Sequence, residues 1–372
     1  MFIQGNTNLL PLRPLQHHGA GLDPGLGEIH PEIRKLRRLF YCGEWIESHV
    51  LHVACLHAPD FLGYQDVIEM ARDHKPAVEM ALRLKKIGNH IVTVMGAREI
   101  HPLSACVGGF YRVPSKAELR AMKDDLKWAL DSSIGLAKLV ATFEFPEFEQ
   151  DYEFVALSHP DEYPFNEGRL ISNKGLDIDV AEYEDHFVEQ HVKHSNALHS
   201  LMRERGSYLV GPLARFNLNY AKLTPVAKQV ASEIGLTVPC LNQFKSIMAR
   251  AVETTFSIEE ALRIIDIYEP PARPRVDVKP RAATGQAITE APRGILFHRY
   301  ILDDRGLILA AKIVPPTSQN QKRMEDDLWG FVPGLLDKPI EEITWKCEQA
   351  IRNYDPCISC ATHFLKVNIE RE

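Results

Sequence analysis

The chain has 372 residues, 45% of them hydrophobic and 25% charged, enough to bury a large core in two or three domains or one big one. No apolar run approaches the roughly 20 residues that span a bilayer, and the first residues lack the basic, apolar and small-residue parts of a signal peptide. The expectation is a cytoplasmic chain with no membrane insertion. Lys plus Arg is 43 against 50 for Asp plus Glu, a net charge of −7, which argues against a nucleic-acid partner.

Residues 1–28 carry no clear period and read as irregular. From Pro31, apolar residues recur at three- and four-residue steps, which predicts a helix closed by Pro59. Within it, Arg34-Lys35-Leu36-Arg37-Arg38 reads as a solvated helix face. A second helix is expected over 65–88, with Gly88 as its stop. Paired glycines and prolines make 95–115 strand or loop, and Ser115 is a candidate N-cap for helices over 115–140. Short β-like runs between turn signals predict a small sheet in 146–180. A long helix over 180–205 follows, then helices over 224–234 and 241–268. Residues 269–287 form a proline-rich crossing segment. Two β-like runs, 294–304 and 306–316, flank Asp303-Asp304-Arg305-Gly306, and two helices close the chain over 320–334 and 339–353. The fold class is mainly α with small β elements.

Seven cysteines are scattered along the chain, and only Cys357 and Cys360 are clustered. In a chain without a secretory signal such a pair points to metal ligation or redox chemistry. A bare C-x-x-C leaves four readings open: half a zinc site, a dithiol, half of a softer transition-metal site, or two packed thiols. Pro356 fixes the backbone before the first thiol. Among the histidines, His49 and His52 share a helix face and His57 follows on the same helix. All three read as packing residues or as supports behind a site, rather than ligands.

Asp355-Pro356-Cys357-Ile358-Ser359-Cys360-Ala361-Thr362-His363 resembles the C-terminal signature of nickel-iron hydrogenase large subunits. Other stretches fit the same family in the right order. These are Gly43-Glu44-Trp45-Ile46-Glu47-Ser48-His49, Arg98-x-x-His101-Pro102 with Gly108-Gly109-Phe110, and Gly211-Pro212-Leu213-Ala214-Arg215-Phe216-Asn217. Glu290-Ala291-Pro292-Arg293-Gly294 and Val314-Pro315-Pro316-Thr317-Ser318-Gln319-Asn320 follow. The similarity spans 29–363 and looks most like the soluble branch coupled to NAD(P).

The resemblance implies a nickel-iron centre whose iron carries CO and cyanide, with Cys357 as a terminal nickel thiolate and Cys360 as a bridging one. It implies that His363 ligates a magnesium, and that a maturation protease removes 364–372. Arg293 would lie over the open face of the metals with Asp355 as its partner. Thr317 or Ser318 would donate to a cyanide, and Pro292 would line the cofactor. The reaction implied is heterolytic cleavage of H2. Electrons would leave through a small iron-sulfur subunit and then flavin and NAD(P)-binding diaphorase subunits, since no further cysteine cluster or G-x-G-x-x-G is present.

The family's other two cysteines, in R-x-C-G-x-C, are absent from these 372 residues, and Ser48 stands where many members carry aspartate. The match begins abruptly near Glu28, which predicts that upstream coding sequence supplies the missing motif. The alternative is a non-catalytic scaffold of the same fold, like the quinone-site subunit of complex I.

Overall fold

The computed structural model describes residues 30–356. Its frame is four helices: α1 Pro31–Val50, α2 Lys75–Gly96, α3 Lys123–Val140 and, further along the chain, α5 Ser246–Ile267. Helix α1 packs on both α2 and α5, and α5 packs on α3 and on the short helix α4 Pro212–Asn219. Helix α5 is buried nearly all round, as expected of a helix at the centre of a bundle. No helix among the described residues is long and apolar enough to cross a membrane.

The predicted helix beginning at Pro31 is present, with His30 Nδ1 accepting from Glu32 N–H at its start. Pro59 does not close it. A π-helical turn, Leu51–His57, intervenes, Pro59 sits in the first turn of Ala58–Leu62, and Gly63 terminates the run with φ 80°. The stop predicted at Gly88 is also absent, because α2 continues to Gly96. Gly88 serves the crossing of α1 and α2 instead: a Cβ there would lie 2.6 Å from Glu47 N, and one on Gly43 would lie 2.9 Å from Ile91. The basic stretch is not solvated either. Arg37 and Arg38 are 4% and 2% exposed, and Arg38 pairs with Glu260 on α5. Ser115 forms the expected cap, with Glu118 completing a capping box.

A three-stranded antiparallel sheet follows: β1 Val155–Ser158, β2 Arg169–Ser172 and β3 Asp177–Ile178. Where a long helix was expected over 180–205, only Val180–Glu182 and Tyr183–His186 are helical. The remainder is a hairpin of β4 Phe187–Val192 and β5 Ser195–Met202. Helix α6 Pro316–Phe331 lies against β5, and Phe187 and Met202, paired in register, turn inward. Burial of Phe187, His199, Ser200 and Met202 outweighs the modest helix preference of Glu and Leu.

The crossing segment 269–287 hides a strand. β6 Ala283–Ala291 pairs along its whole length with β7 Gly294–Leu302, and β8 Ile308–Val314 pairs with the far side of β7. The chain ends its described part with α6 and α7 Ile340–Arg352. Apolar residues from these strands form a second core beside the helical one.

Candidate active site

Ala291 pairs with Gly294, so Pro292-Arg293 is a two-residue hairpin turn that projects Arg293 from the end of the β6–β7 ribbon. Proline's fixed φ suits the first turn position. The turn sits on α4. A Cβ on Gly211, whose φ is +113°, would lie 2.5 Å from Arg293 O, so only glycine permits this approach. Arg215, one turn into α4, donates to Ala291 O and Pro292 O, both at 2.9 Å. Pro292 therefore helps hold the turn through its carbonyl.

Arg293 reaches the end of the described chain. Its Nε lies 2.5 Å from Asp355 O and 3.2 Å from Asp355 Oδ2. The guanidinium is 13% exposed and the carboxylate 1%. Asp355 has φ +51°, a left-handed conformation that aspartate tolerates, and it turns the chain out of α7 just before Pro356 and Cys357. Cys357, Cys360 and His363 lie outside the described residues.

Three residues from the first helices anchor this turn. His52 Nε2 donates to Arg352 O at 2.8 Å. His57 bridges Asp60 Oδ2 at 2.9 Å and Asn353 Oδ1 at 2.8 Å. Asp60 also accepts from Arg352 Nε at 2.6 Å. In an α-helix, residues five apart point about 140° away from each other; the π-helical turn brings them to one side, and the His52 and His57 rings sit 5.1 Å apart. From α5, Arg250 Nη1 and Ser246 Oγ both donate to Asn353 O, each at 2.9 Å. The histidines thus support the tail, as expected of residues behind a site.

Behind the turn lies a buried charge cluster. Glu253 accepts both Arg215 Nε and Arg215 Nη2 at 2.8 Å and Tyr163 OH at 2.7 Å, and lies 3.0 Å from His49 Nε2. Burial opposes its ionisation, yet Arg215 holds the carboxyl down at about 2. Glu290 accepts Leu157 N at 2.7 Å and Arg215 Nη1 at 3.0 Å. Burial pushes Glu290 up to about 7 despite Arg215. Burial lowers Arg250 to about 10 against the pull of Asp355 and Glu253, and it keeps His52 neutral well below its ordinary range, aided by Arg250. The Arg215 guanidinium also lies 4.2 Å over the Trp45 ring.

Three arginines (Arg215, Arg250, Arg293) therefore face three carboxylates, one of them titrating near neutrality. His52 Nδ1 and Arg250 Nε are buried with no hydrogen-bond partner among the described residues. Arg293 at the tail and the unpartnered Arg250 Nε are donors beside the segment that continues into Cys357, and such donors fit an anionic thiolate-held group. The other cysteines do not compete for it. Cys42, Cys55, Cys106, Cys240 and Cys347 are buried and unbridged, and burial raises the Cys42, Cys55, Cys240 and Cys347 thiols, favouring the neutral form.

The 314–320 loop enters α6 on the other side of β7. Ser318 Oγ donates to Pro315 O at 3.1 Å, a local helix-start bond. Thr317 is half-buried, and its hydroxyl has no hydrogen bond among the described residues. Gln319 donates to Ile295 O at 2.6 Å, and Asn320 brackets Val210, accepting from its N at 2.9 Å and donating to its O at 3.1 Å.

Sequence reasoning missed the Arg250, Glu253 and Asp60 roles. The available signal was the presence of Arg250 and Glu253 in the first half of a helix whose neighbouring residues are largely apolar, where charged groups must be paired.

Comparison with known proteins agrees with this geometry. A family profile described as nickel-dependent hydrogenase matches residues 204–363. Sulfhydrogenase 1 subunit alpha of Pyrococcus furiosus is 32% identical over 340 residues, covering 90% of this chain and 79% of that one. The NAD-reducing hydrogenase HoxS subunit beta of Cupriavidus necator is 27% identical over 93% of this chain and 79% of its own. The crystal structure of an NAD+-reducing NiFe hydrogenase in its H2-reduced state superposes with a TM-score of 0.81 at 23% identity, covering 91% of this chain and 82% of that one, which shows a shared fold. The chain belongs to the nickel-dependent hydrogenases, among their catalytic large subunits.

Proposed function

We propose that Cys357 and Cys360, which follow the Arg293–Asp355 pair in the chain, would hold a nickel-iron group, and that the chain activates H2 there. The observation that carries this reading is the Arg293 guanidinium seated on Asp355, two residues before Cys357. When bound, the group supplies the redox chemistry for heterolytic cleavage of H2.

The protein's part is positional and electrostatic. Arg293 presents a positive charge in a planar fork of donors. Asp355 fixes its direction, and the Arg215 grip on the Pro292 carbonyl stops the turn from swinging away. A preorganised donor in a dry site stabilises developing negative charge far better than a mobile one in water. His52, held neutral by burial with its Nε2 proton given to Arg352 O, leaves Nδ1 as an unpartnered acceptor within the cluster. The unpartnered Thr317 hydroxyl suits an anionic cyanide on iron better than Ser318, whose hydroxyl is already used. His363 would ligate a magnesium, and trimming by a maturation protease would follow it.

Electrons must leave through another chain, since only Cys357 and Cys360 are clustered. A small iron-sulfur subunit fits that role. Similarity to the NAD-reducing relative supports flavin and NAD(P)-binding subunits beyond it, in the cytoplasm. The test is H2-driven isotope exchange by the matured complex, measured with and without Arg293→Ala. Exchange that depends on Arg293 and on nickel supports the reading; a complex that binds no nickel and exchanges no hydrogen contradicts it.

A further inference from the structure

One group of metal-ligating side chains among the described residues stands apart from this site: His194, His199 and Glu325. His194 lies in the Lys193-His194 turn of the β4–β5 hairpin, since Val192 pairs with Ser195. His199 is on β5 and Glu325 is on α6, which packs across that strand. One ligand atom from each residue lies within 4.8 Å of the other two. His194 Nε2 is 2.7 Å and His199 Nε2 is 3.6 Å from the same oxygen, Glu325 Oε1.

His199 points to a ligand. It has no exposed surface, yet neither ring nitrogen has a hydrogen-bond partner. A buried, unpaired imidazole is costly, and native structures satisfy such groups with water or an ion.

We propose that His194, His199 and Glu325 form a binding site for a borderline divalent cation of the zinc class, with water completing the coordination. Two imidazole nitrogens and one carboxylate oxygen suit zinc, whereas magnesium and calcium prefer all-oxygen sets. Donors about 2.0–2.2 Å from a tetrahedral zinc lie about 3.3–3.6 Å from one another. His199 Nε2 and Glu325 Oε1, 3.6 Å apart, already have that spacing; His194 Nε2, at 2.7 Å hydrogen-bonded to the same oxygen, has to draw back for a cation to enter, and its exposed turn position leaves it room to do so. The cation would tie the hairpin tip to α6, the helix whose first turns carry Gln319 and Asn320. Those two amides hold the backbone at Ile295 and Val210, on either side of the Arg293 turn. The site would thus brace the frame of the active site from outside it.

The test removes the competing thiolates first. In the full chain carrying Cys357→Ser and Cys360→Ser, zinc is titrated against a chromophoric chelator, and melting is followed with and without zinc. One tightly bound zinc is expected, with a rise in Tm. His194→Gln, at an exposed turn that leaves the core untouched, and Glu325→Gln should each weaken zinc by about 100-fold or more, since even residues behind a metal ligand cost 10–100-fold. Both should abolish the Tm rise. Absence of a saturable site overturns the proposal, as does a zinc affinity that neither His194→Gln nor Glu325→Gln changes. Displacement of zinc by millimolar magnesium would also overturn it.

Discussion

Arg293 and Asp355 meet although 62 residues separate them, with Arg293 Nε 2.5 Å from the Asp355 carbonyl and 3.2 Å from its carboxylate. One comes from a hairpin turn, the other from the end of α7, and each is held by its own network. Arg215 grips the hairpin turn; His52, His57 and Arg250 grip the tail. The pair is therefore held from both sides by the fold itself.

If that preorganised fork is what matters, a lysine cannot replace it. Lysine keeps the charge but lacks the planar pair of donors. Arg293→Lys should lower H2-dependent turnover by about 100-fold or more, the usual cost of losing one fixed donor. Nickel content should stay unchanged. Turnover close to that of the unaltered enzyme would remove Arg293 from the chemistry.

Glu253 is the hub of the cluster behind the turn. Glu253→Gln leaves Arg215 a buried charge with a neutral partner and keeps only one of the two acceptor oxygens that Arg215, Tyr163 and His49 share. Breaking such a buried pair costs about 3–5 kcal/mol, which in a chain of this size lowers Tm by roughly 4–6 °C. Replacing Arg215 and Glu253 together by apolar residues should restore part of that loss. Calorimetry on the single and double variants decides it, and equal melting of Glu253→Gln and the parent would show that the cluster contributes nothing.

Asp60 links α1's continuation to the tail through His57 and Arg352. Asp60→Asn should loosen residues 352–356 without unfolding the bundle. Hydrogen exchange should quicken there, and metal retention should fall. Unchanged protection at Asn353 and Tyr354 would show that Ser246 and Arg250 suffice to anchor the turn.

Acid should destabilise the fold in two stages. Burial lowers His52, His49 and His298, the last to about 4, so the unfolded chain binds protons before the folded one does. Their stabilising effect is complete above pH 6.5 and is lost as pH falls towards 4. Glu253, held at about 2 in the fold against an ordinary value of 4.5, adds a second loss as pH falls from 4.5 towards 2. Glu290, raised to about 7, acts oppositely, favouring the fold below pH 4.5 and losing that contribution as pH rises through 7. His298 Nδ1 lies 2.9 Å from Tyr300 OH. His298→Phe, read by denaturant titrations across pH 4–8, should flatten part of the first stage; an unchanged slope would exclude His298 as a source.

Much of the helical frame was legible: α1 carries a three- and four-residue apolar period from Pro31, and α3 and α5 lie within the segments expected to be helical over 115–140 and 241–268. Ser115 announced its cap for the same local reason. What failed was decided by distant partners. Gly88 looks like a stop until Gly43 is seen to need its missing Cβ. Residues 187–202 have helix-favouring composition but pair as a hairpin under α6. At the site, Arg293 and Asp355 could be named from the family motifs, whereas Glu253 and Asp60 act through residues 38 and 292 positions away, a distance no local pattern encodes. The π-helical turn that aligns His52 with His57 left no separate trace either.

The central claim is that the Cys357–Cys360 segment, presented by the Arg293–Asp355 pair, holds nickel and iron. The most direct measurement is the nickel and iron content of the matured complex, compared between the parent and Cys357→Ser. The account predicts both metals in the parent and loss of nickel from the variant. Zinc in their place, or nickel unaffected by Cys357→Ser, would contradict it.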